Sequence, residues 1–111
     1  MNANLTSEQK RRLQELGQIA YERDLSSELT RLEREFRRWR AGEINVFEVS
    51  EAIHRFHQGP AQELFGMYTG AQAELAVAGA INRGTISREE AGPNVVQVLE
   101  RLLGDRASAS G

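Results

Sequence analysis

The residues best placed to do chemistry lie between Glu48 and Glu63, in the stretch EVSEAIHRFHQGPAQE. Glu51 and His54 stand three residues apart, so a helix projects both from one face. Di-iron carboxylate bundles use that Glu-x-x-His spacing, together with a second such pair and two further glutamates. This chain has one such pair, so a symmetric dimer would have to supply the other. Helical phase sets Glu51 well away from the apolar face formed by Val46, Val49, Ile53 and Phe56, which favours a solvated flank over a metal centre. His57 follows Ile53 by one turn and borders that face near a helix end. An imidazole there donates to a free carbonyl, and its charged form suits the helix dipole. A structural histidine holding a corner at Gly59-Pro60 is the simpler reading. His54 lies nearer Phe47 and Gln58 and is placed to face a partner. Glu51, His54 and His57, with Glu48 or Glu63, therefore define an alternative reading as a metal- or small-ligand-binding bundle, and no metal or cofactor is assigned.

Other catalytic chemistry finds little support. The chain has no cysteine, which removes thiolate nucleophiles, thiolate metal sites and disulfides. Its ten glycines are scattered rather than gathered into a phosphate-binding loop. No serine, threonine or lysine stands in a pattern that either histidine would activate. The reading is non-enzymatic.

Basic charge is carried by thirteen arginines and one lysine. Arg31, Arg34 and Arg38 recur at helical spacing, with Arg37 and Arg40 beside them, and a ridge of that kind can follow a phosphate backbone. Glu33 and Glu35 interrupt it, and Glu33 to Arg37 is a favourable i,i+4 pair. A solvated helix face explains the Arg31–Arg40 ridge better than nucleic-acid binding, which stays a second alternative.

The elements that must position these residues are all helical. Thr6 and Gln9 form a capping box at the start of a long helix, about 7–41. Leu13, Leu16 and Ala20 recur at three and four residues. Leu25, Leu29, Leu32, Phe36 and Trp39 then make a narrow seam suited to another helix. Between Ala20 and Leu25 the spacing slips to five, so the seam rotates there, and a bend or register shift is expected. Such a helix runs to roughly 50 Å at 1.5 Å per residue, longer than a domain of this size is wide. Part of it must project or pair with a second copy.

Gly42 ends the long helix, and Asn45 with Glu48 opens the next, about 45–58. Gly59-Pro60 is expected to turn the chain into a third helix, about 60–68, with Leu64, Phe65 and Tyr68 as its apolar residues. Gly42, His57, Gly59 and Pro60 are thus the expected structural corner. Thr69–Gln72 offers a cap for an alanine-rich helix, about 70–83, whose Ala73, Ala76 and Ala80 permit close approach. Gly84-Thr85-Ile86-Ser87, with Glu90, repeats the form of Gly42-Glu43-Ile44-Asn45 with Glu48, giving two similar corners with Ile44 and Ile86 buried. Pro93 separates a short turn from a last helix, about 93–103, with Val95, Val96, Leu99, Leu102 and Leu103 inward. Residues 105–111 read as a flexible tail. The fold class is all-α: a long N-terminal helix, then three or four shorter helices in a small bundle forming one domain over 1–104.

At 111 residues the chain buries a modest core. Its 40 % hydrophobic and 27 % charged content is ordinary, and a net charge of −2 does not advertise nucleic acid or an anionic membrane. No stretch approaches the roughly 20 apolar residues of a membrane span, and Met1–Lys10 lacks an apolar signal core, so a cytoplasmic protein is expected.

Residues 20–68 carry one familiar pattern. Ala20-Tyr21-Glu22-Arg23-Asp24-Leu25, then Trp39 with Gly42-Glu43-Ile44 and Phe47-Glu48-Val49, then Ile53-His54 with Phe56-His57 and Gly59-Pro60, resemble a motif of small uncharacterised bacterial helical proteins. That resemblance implies no named activity; it groups Gly42, His54, His57, Gly59 and Pro60 into one unit. The residues together predict a non-catalytic protein–protein interaction or regulatory protein acting through helix packing. Its interface is Leu25, Leu29, Leu32, Phe36 and Trp39, and its partners are a second copy of itself and another protein.

Overall fold

The computed structural model describes residues 5–70 and 73–110, with side chains as far as residue 102. Among these, every regular element is helical: α1 (Ser7–Arg40), α2 (Val46–Phe56), α3 (Gln62–Thr69), α4 (Ala73–Arg83), α5 (Arg88–Ala91) and α6 (Pro93–Ser110), with a π-helical stretch at His57–Ala61 joining α2 to α3. The bundle measures 55 × 29 × 23 Å, its long dimension set by the 34-residue α1.

Thr6 starts α1 as the capping box predicts, its hydroxyl accepting the Gln9 amide at 3.0 Å while the Gln9 side chain accepts the Thr6 amide at 2.9 Å. The helix runs unbroken through Ser26 and Ser27. The five-residue slip after Ala20 now has a physical account: at about 100° per residue it turns the apolar stripe by about 140°. The first half of α1 faces the α4–α6 layer with Leu13, Leu16 and Ala20, all buried. The second half pairs instead with α2, which returns antiparallel to it.

That return is made at Gly42, whose φ of +78° is the left-handed conformation the reversal needs. The Gly42 amide donates to the Trp39 carbonyl at 3.0 Å and the Glu43 amide to Arg38 at 2.8 Å, closing the helix with a Schellman pair. Asn45 and Glu48 form the reciprocal cap of α2. Gly84, at φ +83°, makes the second such corner, and Ile44 and Ile86 are both buried there as expected.

Gly59-Pro60 makes no corner. Phe56, His57, Ala61 and Gln62 all keep right-handed helical backbone, and the chain passes from α2 to α3 through a π turn containing Pro60. A proline inside an α-helix lacks its N–H and presses on the carbonyl four residues back; the wider π turn relieves both. Of the expected corner set, Gly42 alone turns the chain, and His57, Gly59 and Pro60 lie within a helical run.

The core gathers Leu13, Leu16, Ala20, Tyr68, Ala76, Val77, Ala80, Ile86, Val95, Val98 and Leu99. Leu16 and Ile86 are wholly enclosed. Ala76 and Ala80 of α4 are buried in this core, and a Cβ added at Gly17 of α1 would sit at ordinary contact distance, 3.6 Å, from Val77. Gln72 of the expected Thr69–Gln72 cap and the Leu103 side chain lie outside the described residues. The last helix continues to Ser110, into the 105–111 segment read as a tail.

Candidate functional site

The paired half of the molecule, α1 beyond Leu25 with α2 and α3, hides much less apolar surface than its sequence leads one to expect. Leu29 is 47 % exposed, Phe36 36 %, Val46 53 %, Ile53 43 % and Phe65 60 %. Leu25, Leu32 and Trp39 are half-buried. Val46 and Ile53 were expected in the buried face of α2; Val49 is buried there, Phe56 half-buried, and those two are left outside. The reason is geometric. Two helices cross along a narrow line, and each buries only the residues nearest it.

Helical phase then divides the hairpin into two unlike sides. On one, the groove between α1 and α2 is lined by Glu35 and Arg38 with Glu48, Glu51 and Arg55 beside Ile44 and the exposed Phe47, and further along by Glu28 and Arg31 beside Leu32, Ala52 and Phe56. At about 100° per residue, Leu29 and Phe36 on α1 and Val46 and Ile53 on α2 fall to the other side of the contact line. Because the helices run antiparallel, those two sets share a side. The hairpin thus mixes charged and apolar residues along one groove and gathers Leu29, Phe36, Val46 and Ile53 on the other side. The rim of the apolar side carries Glu22, Glu33, Arg37 and Arg40 from α1, all exposed. Leu13, Leu16 and Ala20 point away from it, so the α4–α6 layer leaves it uncovered.

At the end of the hairpin Phe36 meets Trp39 edge to face, ring centroids 6.5 Å apart, and the Arg40 guanidinium lies 5.3 Å over the Trp39 ring. The arginine ridge is laced into ion pairs: Arg31 with Glu28 at 3.9 Å, Arg37 with Glu33 at 3.4 Å and Arg38 with Glu35 at 3.2 Å. Each lies at the surface and is worth little for stability, and together they offset three of the ridge's five arginines.

Glu51, His54 and His57 do not converge. All three are exposed, Glu51 lies in the groove between α1 and α2, and no group of three or more potential ligands is found among the described residues.

A polar clamp at the other end of the paired half was not foreseen. The Tyr68 hydroxyl donates to Asp24 at 2.6 Å, and Arg83 reaches the same carboxylate at 3.1 Å. Burial first, and then the bond to Asp24, push the Tyr68 phenol up to about 12. Tyr21 stacks on the Tyr68 ring at 5.5 Å. Beside it Arg23 grips Glu90 through two bonds of 2.8 and 2.7 Å and also donates to the Thr85 carbonyl. Those bonds hold the Glu90 carboxyl below its usual range. Glu90 therefore does not complete the expected reciprocal cap of α5; Ser87 accepts the Glu90 amide at 3.0 Å, while the carboxylate is taken by Arg23. The signal within the sequence was Arg23-Asp24, adjacent opposite charges at the place where the α1 seam changes face. The groups fasten α1 to the α3–α5 corners, and the Tyr21 and Tyr68 rings line an adjoining cavity with Leu13, Gln14, Gly17 and Thr69.

No protein-family model, no curated protein and no solved structure matches this chain. Among the described residues no helix is long and apolar enough to cross a membrane.

Proposed function

We propose that this chain is a non-catalytic protein–protein interaction module that acts by helix packing and associates with a second copy through the apolar side of the α1–α2 hairpin. One observation carries the reading. Leu29, Phe36, Val46 and Ile53 are all more than a third exposed and share one side of the hairpin, while the opposite groove carries the charged residues Glu35, Arg38, Glu48, Glu51 and Arg55 among its lining. Large apolar side chains gathered on one side signify an association surface more often than chance. The aromatic and arginine cluster of Phe36, Trp39 and Arg40 is the composition favoured at interface hot spots. The size is also adequate. From Glu22 to Arg40 the face runs about 27 Å, and two helices are about 20 Å wide. That gives about 500 Å² in projection and more in accessible surface, the scale of a small specific interface.

Light scattering across a concentration series tests the reading. It predicts a mass twice that of the chain at high concentration. A strict monomer at high concentration would remove self-association.

A further inference from the structure

The rim charges of the apolar side point to a direction of pairing, an inference that rests on the self-association just proposed. We propose that two copies pair with their α1 helices antiparallel, Leu29 of each copy lying on Phe36 of the other. The twofold axis then passes between Leu32 and Glu33.

Leu29 and Phe36 are the two most exposed residues of the α1 seam, and they stand two turns apart on one line of the helix. Antiparallel pairing about their midpoint makes each fill the place opposite the other, so both large side chains are covered by one operation. The loop at Gly42 sets Ile53 of α2 level with that midpoint. Ile53 of each copy therefore meets Ile53 of the other, and α2 adds a second apolar row.

The charges select this direction over the parallel one. Glu22 and Arg40 occupy the same rim at opposite ends, and both are exposed. A parallel pair sets Arg40 against Arg40, Arg37 against Arg37 and Glu22 against Glu22. The antiparallel pair brings Glu22 of one copy within a helical turn of Arg40 of the other, at both ends of the interface. Glu33 sits near the axis in either direction and already holds Arg37 as its counter-ion, so it does not discriminate. The third arrangement, α1 over the α2 of the second copy, places these rim charges beside Val46, Ser50, Ile53 and His57, which offer no carboxylate to Arg40. Antiparallel pairing also sets the two α4–α6 layers at opposite ends of the dimer, where neither obstructs the contact.

The absence of any cysteine makes the test direct. Ser26, Glu33 and Arg40 recur every seven residues along the same rim, and all three are exposed. Single variants Ser26→Cys, Glu33→Cys and Arg40→Cys are treated with a short bismaleimide, each alone and then Ser26→Cys mixed with Arg40→Cys. Antiparallel pairing predicts a covalent dimer from Glu33→Cys alone and from the mixture, with Ser26→Cys and Arg40→Cys unlinked when alone. Self-linking of Ser26→Cys, which keeps Glu22 and Arg40 in both copies, overturns the proposal in favour of a parallel pair. A dimer in which Glu33→Cys fails to link overturns it in favour of another face. Either result leaves self-association standing, whereas a chain that sediments as a monomer removes both readings.

Discussion

Asp24 on the long helix accepts the Tyr68 hydroxyl from α3 at 2.6 Å, and the same carboxylate holds Arg83 at 3.1 Å, so one side chain ties three helices together. The contact stands where α1 changes the face it buries, which is why a polar clamp rather than an apolar seam spans that level.

Removing the phenol tests how much the clamp holds. Tyr68→Phe keeps the ring stacked on Tyr21 and leaves Asp24 its bonds to Arg83 and Thr85. The expected loss is about 1.5–3 kcal/mol of unfolding free energy, typical of a hydrogen bond to a charged group. Urea denaturation measures it, and a change within a few tenths would show that the other donors carry the site.

The clamp also sets an alkaline limit. The Tyr68 phenol ionises at about 12 in the folded chain against 10.0 for the free group. The folded state therefore keeps a proton that the unfolded state gives up, and this contribution is complete below pH 10. It is lost as pH rises from about 10 towards about 12. The melting temperature should fall across that window, and Tyr68→Phe should flatten the fall.

Glu90 works in the opposite direction. Arg23 holds its carboxyl below the usual range, so its contribution is present above the ordinary carboxylate pKa and is lost as pH falls through the lowered one. Glu90→Gln should be less stable than the parent at neutral pH, and the two melting curves should converge in acid. Curves that stay parallel would place the Arg23 contact outside the stability account.

Two glycines separate a corner from a helix. Gly42→Ala forces a side chain into φ +78° and should cost about 1 kcal/mol. Gly59 has helical surroundings and nothing within 4 Å of an added Cβ, so Gly59→Ala should stabilise by about 0.4–1 kcal/mol. Thermal melts of the pair read both signs. Destabilisation by Gly59→Ala would restore the corner that the π turn replaces.

Much of this architecture is legible in the residues. Caps at Thr6 and Asn45 and the glycine stops at Gly42 and Gly84 are local chemistry, so spacing alone places them. The rotation of the seam after Ala20 was legible as a slip, but its cause required knowing that two different partners face the two halves of α1. Gly59-Pro60 misled because these residues usually end helices; a π turn absorbs the proline instead, and no residue pattern distinguishes the two outcomes. Val46 and Ile53 misled for another reason. Periodicity reports an apolar stripe, yet it cannot say how much of the stripe a single neighbouring helix will cover. Those uncovered residues are the candidate site, so the site was visible as a pattern and hidden as a surface.

Sedimentation velocity of the chain beside a Leu29→Glu/Phe36→Glu double variant tests the central claim most directly. Both positions are exposed in the single chain, so the variant should keep its helical circular dichroism. The account predicts a concentration-dependent dimer for the parent and a folded monomer for the variant. A parent that stays monomeric at every concentration, or a folded variant that dimerises as strongly as the parent, would contradict it.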